Sequence, residues 1–190
     1  MQKGFTLIEV SILFVIFLIV AFLVAPLSLD DTMQAKNISR WKNVQQDFIN
    51  IMYSIETNNN RQNFITSIES ALDNEIKNSI DNYKILFLNG TYPSKTYKFN
   101  NLRVTYSNAV IATKFFEEPI DNLIGLLMYD VNGKKGPNMW GKDVFGLNIY
   151  QNNLEAFGKN LSIEEQKKDC SKLGTGLYCS NYYLIGGSFD

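Results

Sequence analysis

The hydropathy of this chain changes twice. From Val10 to Leu29 no side chain is charged, and Val, Ile, Leu and Phe dominate. A helix of that length crosses a hydrocarbon core of ~30 Å. The chain turns polar at Asp30-Asp31, and apolar residues then recur three and four apart. Ile38, Trp41, Val44, Phe48, Ile51, Met52 and Ile55 form one face, with Lys36, Lys42, Asn43, Gln46, Asp47 and Asn50 largely on the other. This spacing predicts an amphipathic helix with one packed side. A proline inside a helix gives up a hydrogen bond and bends it, so Pro26 predicts a kink rather than a stop. Residues 5–56 therefore read as one long, bent helix. Its first half faces lipid or a partner, and its second half lies on a domain.

After Thr57-Asn-Asn-Asn60, a second amphipathic helix is expected to carry Phe64, Ile65, Ile68, Leu72, Ile76, Ile80 and Tyr83. From Lys84 the pattern shortens to strand-like runs. These are Ile85–Leu88, Thr96–Phe99, Leu102–Tyr106, Ala109–Phe116 and Leu126–Val131, separated by Asn-Gly, Tyr-Pro-Ser and Asn-Asn turns. Their alternation suits an antiparallel sheet with one face on the long helix. Tyr129, Phe145, Tyr150, Tyr182 and Tyr183 add aromatic bulk to a core or subunit interface. The expected fold class is α+β.

Composition narrows the chemistry. With 18 basic and 19 acidic residues among 190, the net charge of −1 carries no nucleic-acid signature. There is no histidine, which removes the usual general base and imidazole metal sites. A catalytic role is not expected.

The start of the chain reads Met1-Gln-Lys-Gly4 and then Phe5-Thr-Leu-Ile-Glu9. A secretory signal peptide would place its cleavage site after the apolar core. Here the processing signal precedes it, so a cut after Gly4 would leave the hydrophobic helix on the mature protein. Glu9 sits inside an apolar segment, where a carboxylate is costly unless protonated or paired. These residues resemble the signal of type IV pilins and type II secretion pseudopilins. Gly4, Phe5 and Glu9 match that signal position by position, and Pro26 falls where many pilins carry a kinking proline. The resemblance covers roughly the first third of the chain, and the α+β fold it implies is type IV pilin-like: a long N-terminal helix packed on an antiparallel sheet, with a C-terminal disulfide loop.

It implies a leader at residues 1–4, a transmembrane or filament-core helix at 5–29, and a periplasmic or extracellular domain at 30–190. It also implies cleavage by a prepilin peptidase and N-methylation of Phe5. The subunit would wait as a single-pass protein of the bacterial inner membrane until an assembly platform extracts it. It would then pack with copies of itself or other pilin subunits in a helical filament, a periplasmic pseudopilus or a surface pilus. Glu9 would dock on the processed amine of a neighbouring Phe5. The reading from another class is a single-pass, membrane-anchored binding protein displaying a solitary domain.

Membrane export puts the two cysteines, Cys170 and Cys179, in an oxidising space, where a disulfide closing a short loop is expected. Their spacing does not fit a CxxC redox or zinc pair. The loop from Asp130 to Asp143 is the other stretch that reads as a device. Asp130, Asn132, Asn138 and Asp143 can turn oxygens inward, and its glycines permit tight turns. Asp-x-Asn-Gly resembles the opening of calcium loops, and some pseudopilins bind calcium in a C-terminal loop. However, Lys134 and Lys135 stand where more acids would help, and no bidentate Glu follows. A structural turn held by Asx hydrogen bonds is the better expectation. Lys134, Lys135 and Lys142 read as a solvated face rather than a DNA-binding patch.

Overall fold

A computed structural model describes residues 7–55, 65–66, 70, 76–79, 83–105, 108–151 and 153–189, with the side chains of all these except 23–30, 54–55, 76–79 and 100–101. The chain divides into two compact units, Met1–Lys36 and Asn37–Asp190. Helix α1, Leu7–Ile55, supplies the described residues of the first and begins the second. This matches the expected long helix. Gly4 and Phe5 lie outside the described residues. Pro26 falls within α1, but its side chain is not among those described.

Along residues 7–22, the large apolar side chains are half to almost fully exposed, from Val20 at 51% to Leu7 at 86%. Among the described residues, no helix is long and apolar enough to cross a membrane. The described side chains of this stretch end at Phe22, short of the ~20 residues a span requires. The rest of the expected span, 23–29, has no described side chains.

Among the described residues, the second unit holds an antiparallel meander of six strands in sequential order. They are β1 Ile76–Ser79, β2 Asn100–Thr105, β3 Val110–Ile120, β4 Leu123–Asp130, β5 Val144–Tyr150 and β6 Asn153–Ala156. Two short helices follow, α2 at Ile163–Asp169 and α3 at Cys179–Leu184. The α+β expectation holds.

The period-2 geometry of strands sorts the core into two layers. Ile111, Leu127, Tyr129, Phe145 and Leu147 face Trp41, Phe48 and Met52 of α1. Val110, Ala112, Leu126, Met128 and Val144 point the other way, into a second cluster with Phe87, Trp140, Phe157 and Leu177. The sheet is thus covered on both faces, and β4 is buried almost throughout. Trp41 is the hub of the first layer. It is fully buried, stacks on Phe145 at 5.0 Å, and its Nε1–H donates to the Ser180 carbonyl at 2.8 Å.

Several expectations need correction. Ile76–Ser79, expected within a second helix, is a strand paired with β2; β-branched isoleucines suit either assignment, and pairing decides it. Residues 65–66 and 70 are helical, and most of the remaining stretch lies outside the described residues. Ile85–Leu88 is not a sheet strand, because its backbone groups go to loops. Leu86 N–H donates to Asn138, Trp140 N–H donates to Leu86, and Leu88 N–H donates to Thr175. The run at Thr96–Phe99 is largely a single 3-10 turn, Lys95–Tyr97, whose Lys95 and Thr96 carbonyls accept from Lys114 Nζ at 3.4 and 3.1 Å. The Asn100-Asn101 pair, expected as a turn, opens β2 instead.

Candidate functional site

Two sites were expected, one at the start of α1 and one in the loop after β4. At the first, Glu9 is the acidic residue of the first helical turn and is exposed. A carboxylate there is favoured by the N-terminal end of the helix dipole. One turn of backbone is braced by Ser11 Oγ, which donates to the Leu7 carbonyl at 2.8 Å.

The second site brings all four expected residues together. Asp130 ends β4 and Asp143 precedes β5, so the antiparallel pairing of those strands sets the two acids side by side. Both are fully buried. Asp130 Oδ1 accepts from the N–H groups of Asn132 and Gly133, each at 2.9 Å. Its Oδ2 accepts from the Tyr83 hydroxyl. Asp143 Oδ1 accepts from Met139 N–H at 2.7 Å, and its Oδ2 accepts from Asn138 N–H at 2.9 Å. Asn132 Nδ2 donates to Asp143 Oδ2 at 3.2 Å and to the Gly136 carbonyl at 3.1 Å. Asn138 Oδ1 accepts from Gly136 N–H at 3.1 Å. The expected Asx network is present, with every partner inside the loop except Tyr83.

Burial dominates the ionisation of this pair. It raises the Asp130 carboxyl to about 7; the Tyr83 hydrogen bond opposes the rise and the Asp143 charge adds to it. Burial likewise raises Asp143, against the donors at Met139, Asn138 and Asn132. The Tyr83 hydroxyl is pushed up by burial and by Asp130.

Calcium takes six to eight inward-facing oxygens; here all four carboxylate oxygens accept from N–H or O–H groups, and Asn132 Oδ1 is buried with no hydrogen-bond partner among the described residues. Among the described residues, no group of three or more His, Cys, Asp or Glu could hold a metal. Chemically, the arrangement is a turn lock.

Sequence reasoning separated this loop from the cysteine loop, but the two form one joint. Cys170 and Cys179 are disulfide-bonded, as expected, with Cα atoms 5.1 Å apart. Just before the bridge, Asp169 takes donors from within its loop: Oδ1 accepts from Thr175 N–H and Oγ1–H, and Oδ2 accepts from Tyr178 N–H. The loops touch at two glycines with positive φ. A Cβ on Gly141 would stand 2.6 Å from Cys179 Sγ, and one on Gly176 would stand 2.2 Å from the Trp140 carbonyl. Only glycine permits both the conformation and the approach. The Tyr183 hydroxyl adds a bond to the Gly141 carbonyl at 3.0 Å. From α1, Asn37 Nδ2 donates to the Lys142 carbonyl and Arg40 to the Val131 carbonyl. These roles of Asn37, Arg40 and Tyr83 carried no local sequence signal, since each depends on a partner far along the chain.

No family model, curated protein or solved structure matches this chain.

Proposed function

We propose that this chain is a structural subunit of a type IV pilus or type II secretion pseudopilus. The observation that carries the reading is the exposure of Leu7–Phe22. A contiguous apolar surface of this kind marks a membrane or protein interaction site. Lipid covers it before assembly, when residues 5–29 anchor the chain in the bacterial inner membrane. Neighbouring subunits cover it afterwards, so one surface serves both states. The Gly4-Phe5 signal supports cleavage by a prepilin peptidase and methylation of the new Phe5 amine. Glu9, one helical turn further on, then has a cation to meet in an adjacent subunit. Asn37–Asp190, braced by its disulfide, is the domain displayed outside the membrane.

Intact-mass spectrometry of membrane-extracted protein tests this reading. The mass should lack Met1–Gly4 and carry one added methyl group. Gly4→Val should leave full-length protein in the membrane and no filaments. Normal processing of that variant, or an uncut wild type, would instead favour a solitary anchored binding protein.

A further inference from the structure

The second layer of the core borders a cleft of about 320 Å³ that shares only Tyr83 with the turn lock. Its walls include Tyr83, Tyr92, Tyr97 and Phe99, with Lys84 and Lys98 among the lining residues. The aromatic rings are held from behind. The Tyr83 hydroxyl is tied to Asp130, Tyr97 packs edge-on to Phe157 at 5.9 Å, and Phe99 packs on Trp140 at 6.1 Å. Tyr92 is 63% exposed and faces solvent.

Charge singles out the same region. Between Asp81 and Glu117 the sequence has no acidic residue, yet it carries Lys84, Lys95, Lys98, Arg103 and Lys114. Two of these cations, Lys84 and Lys98, line the aromatic cleft. The carboxylates packed behind it, Asp130 and Asp169, are taken up by Tyr83 and the loop N–H groups for Asp130, and by Thr175 and Tyr178 for Asp169.

We propose that this cleft binds single-stranded nucleic acid, with phosphates against Lys84 and Lys98 and unpaired bases on the aromatic walls. Stacking platforms beside a cationic groove are how single strands are held without base-edge readout. A duplex hides its base faces and cannot use the aromatic rings. A sulfated polysaccharide satisfies the lysines but has no π-face to stack. This inference stands apart from the filament reading, since it concerns only the second unit.

The test is fluorescence anisotropy of a labelled oligo-dT of about twelve nucleotides, a length within the usual single-strand site sizes. The full-length chain is used in non-ionic detergent at low salt. Binding should be saturable, with affinity falling as salt rises with a log–log slope of about −1.4, for two phosphates. Tyr92→Ala should weaken it about 5- to 100-fold, while Tyr92→Phe, which keeps the ring, should retain it. Lys84→Gln with Lys98→Gln should remove most of the salt dependence, whereas Lys134→Gln with Lys135→Gln should leave binding unchanged. The proposal is overturned by any of three results: no saturable binding, equal affinity for a duplex or dextran sulfate, or loss of binding through Lys134 and Lys135 instead.

Discussion

The two halves of α1 are continuous in backbone and opposite in what surrounds them. In residues 7–22, apolar side chains point in every direction and remain exposed; in residues 37–52, a single stripe is apolar, and it is buried on the sheet. The more hydrophobic half is therefore the one the chain does not cover. Hydropathy alone ranks how strongly a segment avoids water. The pattern around the helix says where the cover comes from. A stripe wants the rest of its own fold, and an all-round apolar surface wants a surrounding medium or several partners.

The largest expected effect separates these halves by one substitution in each. Trp41→Ala should lower the unfolding free energy by about 3–5 kcal/mol, the usual range for emptying a large aromatic site in a core. Phe17→Ala should change it by less than about 0.5 kcal/mol and instead reduce filament yield. Urea unfolding followed by circular dichroism in detergent reads the first quantity, and electron microscopy of sheared filaments the second. If Phe17→Ala destabilised the domain as much as Trp41→Ala, the two halves would share one core and the contrast would collapse.

Much of this contrast was legible beforehand. The residues from Ile38 to Ile55 announced both a helix and its buried face, because helical periodicity is a local signal. The helix start at Ser162-Ile-Glu-Glu165 was not among the expected elements. Its Ser162 and Glu165 side chains close a capping box on α2. The loop residues Asp130, Asn132, Asn138 and Asp143 were legible as a cluster, since Asx turns are short-range. What stayed hidden was long-range. Leu86 looks like a strand residue until Asn138 and Trp140 take its backbone groups. Strand β5 was seen only through its aromatics Phe145 and Tyr150 and β6 was not expected, and Gly141 and Gly176 gain their meaning only when the two loops meet.

A second, smaller effect probes the buried side at that meeting point. Replacing Cys170 and Cys179 together by serine should cost about 2–3 kcal/mol by loop-closure entropy, again read by urea unfolding. Helix residues 7–22 should keep their membrane association, which carbonate extraction would check.

The pH dependence of the domain sharpens the comparison further. Burial raises Asp130 from the ordinary carboxylate range to about 7. The folded state then binds more protons than the unfolded one between about pH 4 and pH 7. This contribution to stability is complete below about pH 4 and is lost as pH rises through about 7. Urea midpoints measured across that window should fall with rising pH, and Asp130→Asn should flatten the slope. A wild-type profile that rises across the whole window would contradict the assignment.

The smallest effect on folding belongs to Glu9. Glu9→Gln and Glu9→Leu should leave the unfolding of Asn37–Asp190 unchanged within about 0.5 kcal/mol, and both variants should insert and be processed. Both should assemble poorly, with leucine no better than glutamine, because an unpaired site for the Phe5 amine is what each leaves behind. Wild-type filament yield from Glu9→Leu would make apolar packing sufficient and remove the docking role.

The hydrogen bond from Trp41 to Ser180 spans 139 residues of chain, and this has a consequence for biosynthesis. At about 5–20 residues per second, ribosomes take between about 7 and about 28 s to travel from one partner to the other. Through that interval the Trp41 stripe has been made, but Ser180, Tyr182 and Tyr183, which close over it, have not. The strands can pair in the order they emerge, because each neighbours the next. The helix cannot finish docking until residues near the far end of the domain have been translated and delivered to the same compartment. A nascent chain stalled before Ser180 would thus present the helix with its packing face bare, the form that a quality-control protease or a chaperone has to meet first.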